Sequence, residues 1–103
     1  MRELDFRRWL IEEKGLSPKV AKDMISRLRK IERELKNCDI DEQYRRDGCQ
    51  LLLRTFSHMG INAEMKKYPS ANFPIGEYYM STYRYAVSKY KEYMDALFGQ
   101  LRS

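Results

Sequence analysis

Few side chains in this sequence are able to do covalent or acid–base chemistry. There is one histidine, His58, and there are two cysteines, Cys38 and Cys49. An imidazole that works as a base needs a partner that orients it. His58 stands alone near the end of a helical segment, the place of a capping or surface residue. The cysteines form no CxxC and no disulfide framework, and with His58 they do not reach the ligand spacing of a zinc site. They read as reduced, buried thiols. The carboxylate pairs Glu12–Glu13 and Asp39–Asp41 fall at solvated or capping positions. A carboxylate needs an apolar face for desolvation to raise its pKa toward acid–base work. The five glycines are scattered at helix ends and build no phosphate loop. Tyr78, Tyr79, Tyr83, Tyr85, Tyr90 and Tyr93 crowd one segment, and nothing marks any of them as an activated nucleophile. The expectation is a chain without catalysis of its own, without metal and without cofactor.

Binding chemistry is better represented. Lys and Arg number 20 against 15 Asp and Glu, a net charge of +5. A positive field favours an anionic partner such as nucleic acid and raises encounter rates. In Tyr83-Arg84-Tyr85-Ala86-Val87-Ser88-Lys89-Tyr90-Lys91, cations and tyrosines interleave. Wound at about 100° per residue, Tyr83, Val87, Tyr90 and Met94 share a core side. Tyr85, Lys89 and Glu92 then face outward, with Arg84, Ser88 and Lys91 alongside. Such a stripe suits phosphates, sugars and base edges; the same residues also fit a core edge with solvated cations. Ser17, Lys19 and Lys22 open a long helix, where free N–H groups and the helix dipole favour a phosphate oxygen. An ordinary N-cap accounts for Ser17 equally well. Lys66 and Lys67, ahead of Tyr68 and Pro69, form a third anchor, and Arg45 and Arg46 a fourth cationic pair. The competing reading is a protein-interaction face that presents Tyr78, Tyr79 and Tyr85 to a partner or to a second copy.

The elements that must position these residues are helical throughout. Residues 3–14 carry Leu4, Phe6, Trp9 and Leu10 at helical spacing, and Gly15 follows as the stop. Leu16-Ser17-Pro18 is a strong start signal: staple, N-cap serine and proline at the first helical position. From there to about residue 36, Val20, Ala21, Met24, Ile25, Leu28, Ile31 and Leu35 form one apolar face. Lys19, Lys22, Arg27, Arg29, Lys30 and Arg33 occupy the others, with a few acids, and Asn37 is the terminator. Asp39 or Asp41 caps a third helix whose apolar side is Tyr44, Cys49, Leu52, Leu53, Phe56 and Met59. It ends at Gly60, and Gly48 predicts a break near 46–48. Residues 60–76, rich in Pro, Gly, Ser and Asn, predict a loop with one helical turn around 63–67. The last helix runs from about 75 to 98, with Tyr79 and Tyr83 at the head of its apolar face, and stops at Gly99. The fold class is therefore all-α, a bundle of four helices with a short fifth. At 103 residues the chain has room for a single domain with one modest core. No apolar leader and no run of about 18 apolar residues is present, so the expected location is the cytoplasm.

Two stretches resemble a known family. Phe6-Arg7-Arg8-Trp9-Leu10-Ile11-Glu12-Glu13-Lys14-Gly15-Leu16-Ser17-Pro18, continuing through Val20-Ala21-Lys22-Asp23-Met24-Ile25-Ser26-Arg27-Leu28, resembles the N-terminal SAM-like core-binding domain of tyrosine recombinases and phage integrases. The closing segment Tyr83 to Tyr93 is similar to that family's last helix. The threonine common after the family's GLS turn is absent, with Val20 or Ala21 in its place, and Met24 stands where a tyrosine is frequent. The resemblance implies a four- or five-helix domain that clamps one side of duplex DNA. It puts Ser17, Lys19 and Lys22 on phosphates and Arg84, Ser88 and Lys91 near the DNA. It also implies that the recombinase catalytic half lies outside these residues. The chain is then either part of a longer protein or a stand-alone relative of the module, in a recombinase or another mobile-element or restriction context.

Overall fold

The long second helix organises the molecule, and its start follows from three residues. In the computed structural model, which describes residues 1–102 and side chains as far as Gly99, Ser17 Oγ accepts from the Val20 backbone N–H at 3.2 Å. Pro18 occupies the first helical position, where its missing N–H costs nothing. The helices are α1 (Glu3–Glu12), α2 (Pro18–Glu34), α3 (Ile40–Asp47), α4 (Gln50–Thr55) and α5 (Ser81–Arg102). Single 3-10 turns lie at His58–Gly60, Met65–Lys67 and Tyr78–Met80. No strand occurs among the described residues, so the fold is all-α.

α2 packs on both α1 and α5, and α1 also meets α5. The seam between them is apolar and aromatic. Phe6, Leu10, Ala21, Leu28, Ile31, Ala86, Val87 and Tyr90 are fully buried. Phe6 meets Tyr90 edge-on with ring centres 4.9 Å apart and lies 5.5 Å from Tyr93. Aromatic pairs in this geometry add to the area they bury. The buried Tyr90 hydroxyl donates to Asp41 and accepts from the Arg2 backbone N–H at 2.8 Å. Asp41 also pairs with the Met1 amine at 3.2 Å. This polar knot ties the start of α1 and the start of α3 to the middle of α5.

The predicted third helix divides at Gly48 and Cys49, both left-handed, with φ of 67° and 65°. Glycine adopts that conformation without cost; Cys49 is held there by its buried side chain. Asp39 caps α3, accepting from Asp41 N at 3.0 Å. Asp47 restarts the chain as α4, accepting from Gln50 and Leu51.

Several expected positions are corrected. Leu4, placed on the α1 apolar side, is 82% exposed; it lies about 200° around the helix from Phe6. Met59 does not extend the α4 core. The Asn62 amide takes the carbonyls of Thr55 and Ser57, ends α4 at Thr55 and leaves Met59 exposed. Tyr79 is exposed as well. The 3-10 turn at Tyr78–Met80 shifts the helical phase and buries Met80 in its place. Val20 lies at the rim of the α2 apolar face, still accessible. Gly99 does not stop α5, which continues to Arg102; a glycine ends a helix by going left-handed, and Gly99 is not among the left-handed glycines.

Both thiols are held protonated. Burial, with Glu32 and Asp39 nearby, pushes Cys38 from 9.0 to about 12. Burial and Asp47 do the same for Cys49, again to about 12. Below pH 9 the folded and unfolded chains both carry neutral thiols. Above it, only the unfolded chain ionises, so stability is expected to fall as pH rises from 9.0 toward 12. Urea titrations at pH 7 and pH 10 check this. Alanine at both cysteines should flatten the loss; an equally steep loss in that variant would assign it to other groups.

Candidate nucleic-acid interface

α2 has 17 residues, and its apolar face uses Ala21, Met24, Ile25, Leu28 and Ile31. The helical period therefore turns Lys19, Lys22, Ser26, Lys30 and Arg33 to the opposite, outward side, with Arg27 and Arg29 on its two edges. What decides whether these cations can hold an anion is whether carboxylates already hold them. Glu3 takes Arg29 through two hydrogen bonds, one of them at 2.6 Å. Arg33 lies 3.5 Å from Glu34. Glu32 turns away and accepts from the Ile40 backbone. Lys19, Lys22, Arg27 and Lys30 have no ion pair among the described residues. Lys30 Nζ stands 5.5 Å from the centre of Phe73 and 5.7 Å from that of Tyr83. Those contacts orient the ammonium without neutralising it.

Two grooves flank this side of α2, and Arg27 lines both. The first lies between α2 and the start of α5. Val20, Met24 and Arg27 form one wall; Ser81, Thr82, Arg84, Tyr85 and Ser88 form the other. Arg84 uses its Nε on the Leu53 carbonyl at 3.3 Å and makes no ion pair among the described residues, so its charge stays available. Tyr85 is 49% exposed. Hydroxyls, two guanidinium groups and an accessible ring therefore meet in one trough. The second groove holds Asp23, Ser26, Arg27, Lys30, Arg33, Tyr79 and Tyr83.

The residues expected to bind differ in what already holds them. Lys19 and Lys22 lie on the open α2 face, and Arg84, Tyr85 and Ser88 meet Arg27 in the first groove. Ser17 is engaged as the N-cap. Lys89 and Lys91 differ from the picture of free outward cations. Lys89 bonds Glu92 at 3.0 Å and sits 5.5 Å from the Tyr85 ring centre. Lys91 bonds Asp95 at 2.8 Å. Glu92 is shared with Lys14, and these two lysines hold its carboxyl below the usual carboxylate range. The α5 charge is balanced because acids stand three and four residues after the lysines, the ion-pair spacing of a helix. Lys67 is similarly paired with Glu64 at 2.9 Å. Lys66 is exposed but lines a different, apolar groove with Ile61, Tyr68 and Ile75.

Arg27 and Lys30 are not among the binding residues expected from sequence, though their signal is present. Across Lys19–Arg33 the outward positions recur at steps of three and four, and Asp23 is the one acid among them. His58 is exposed, and its ring lies 3.2 Å from the neighbouring Ser57 hydroxyl. No group of three or more His, Cys, Asp or Glu among the described residues is placed to hold a metal ion. No helix among them is long and apolar enough to cross a membrane. No family model, curated protein or solved structure matches the chain.

Proposed function

We propose that the chain is a duplex-DNA-binding module that grips phosphates along the outward face of α2 and in the α2–α5 groove, without catalysis of its own. The observation that carries this reading is selective neutralisation. Acids cancel Lys89, Lys91 and Lys67, yet Lys19, Lys22, Arg27, Lys30 and Arg84 keep their charge on adjoining surfaces. Burial of Met24 and Leu28 fixes the stretch of α2 that carries Lys19, Lys22, Arg27 and Lys30, so docking on a stiff polyanion has only their side chains to order. The resemblance of residues 6–28 and 83–94 to a recombinase core-binding domain supports the same reading. It also makes a catalytic domain elsewhere in a longer chain the natural companion.

If those five cations each neutralise one phosphate, log K should fall against log salt with a slope of about −4 to −5. Anisotropy titrations of a labelled duplex between about 50 and 200 mM salt read that slope. Absence of binding at the lower salt would remove the proposal.

One observation favours the protein-interaction alternative. Met59, Ile61 and Ile75 are 43%, 59% and 46% exposed, and Tyr78 is 85% exposed. Ile61 and Ile75 share a groove. His58 and Met59 next to them are both left-handed, a conformation that costs non-glycine residues about 1–2 kcal/mol. Saturable self-association that Ile61→Asp abolishes would mark this patch as the working surface.

A further inference from the structure

We propose that the second groove beside α2 receives a nucleotide left unpaired at the end of a duplex, its base lying on Tyr79. This rests on the duplex reading above and names the DNA feature that the face prefers.

Three observations lead there. The first is an anchored ring at the surface. Tyr79 is 46% exposed and meets Tyr83 in a T-shaped contact, with centres 6.2 Å apart and planes at 88°. Tyr83 is itself buried and packed against Phe56 and Phe73. The exposed ring is therefore tied to the core and pre-set as a platform. Bases stack on such rings whatever their identity. A base inside a duplex already has neighbours on both faces and a terminal pair is held by its partner strand, whereas an unpaired base is free to turn onto Tyr79.

The second is continuity of charge. Arg27 lines both grooves, and Lys30, held over Phe73 and Tyr83, lines the second. A strand whose phosphate sits at Arg27 in the first groove has cations waiting for its next phosphate in the second.

The third is Asp23. This carboxylate is partly buried and lines the groove with Arg27, Lys30 and Arg33, yet it makes no ion pair or hydrogen bond among the described residues. Beside a phosphate it would only repel. Beside a base edge it accepts a hydrogen bond from an exocyclic amine, which cytosine, adenine and guanine carry and thymine lacks. An unpaired guanine offers that carboxylate two donors side by side, N1–H and N2–H, whereas an unpaired thymine offers one N3–H between two carbonyl oxygens, so the groove favours guanine over thymine.

The test compares one labelled duplex in blunt form with the same duplex carrying a short guanine or thymine overhang, at its 3′ or 5′ end. The guanine overhang of at least one polarity is expected to bind roughly tenfold tighter than the blunt duplex, the order of effect of one stacked base. Tyr79→Ala should erase the gain and leave blunt affinity unchanged, while Tyr79→Phe keeps it. Asp23→Ala should erase the difference between guanine and thymine. Blunt binding with no overhang gain, or a Tyr79→Ala loss shared equally by blunt and overhang DNA, would overturn this inference alone. No binding to any of these DNAs would overturn the duplex reading with it.

Discussion

Reversing Lys22 and Arg27 to glutamate together is expected to weaken duplex binding about a hundredfold at low salt and to flatten the salt dependence by about two units, one for each phosphate that is no longer neutralised. Both side chains lie outside the core, and neither has an ionic partner among the described residues to be orphaned. The fold should therefore survive, with an unchanged circular dichroism spectrum. The matched control is the double reversal of Lys89 and Lys91. Those lysines are already paired with Glu92 and Asp95, so they offer an incoming phosphate less. Their reversal should cost binding far less than that of the α2 pair. If the α5 reversal proved the more damaging of the two, the interface would have to be moved from α2 to the outer side of α5.

The largest expected effect on stability is that of Phe6→Ala. Phe6 is fully buried and touches the rings of Trp9, Tyr90 and Tyr93. Removing a buried phenylalanine side chain costs about 3–5 kcal/mol, through the forfeited transfer energy and the cavity left behind. A domain of this size has only about 5–15 kcal/mol in total, so the variant should unfold at much lower urea and approach instability at body temperature. Leu4→Ala, two residues earlier but 82% exposed, should be close to neutral. A small change for Phe6→Ala would mean that the α1–α5 seam contributes little to holding the domain together.

The helices are legible where local chemistry dictates them. Ser17-Pro18 starts α2 because an N-cap hydroxyl and a donor-free proline satisfy a helix end wherever it lies. Gly48 breaks the third helix because a left-handed residue is nearly free for glycine. Sequence and structure part where tertiary contacts decide. Nothing local in Tyr78-Tyr79-Met80 announces a 3-10 turn, so periodicity sets the phase of α5 one turn early and assigns Tyr79 to the core. Asn62 ends α4 from seven residues away in sequence, through its bond to the Thr55 carbonyl, and periodicity is blind to such a bond. The site is half legible. Helical winding brings out Arg84, Tyr85 and Ser88, and the α2 start draws attention to Lys19 and Lys22. That Arg27 stands across from Arg84 in one groove depends on how α2 and α5 pack, which no window of sequence contains. The pairing of Lys89 with Glu92 and of Lys91 with Asp95 is within reach of sequence, because the spacings are three and four. It alters the weight of α5 more than any feature of its composition does.

Backbone amide shifts of the labelled protein, followed as a short duplex is added at low salt, test the central claim most directly. The account predicts shifts that cluster on residues 19–33 of α2 and 81–88 of α5, with 59–68 unchanged. Shifts centred on Met59, Ile61 and Ile75, or none at all with excess duplex, would contradict it.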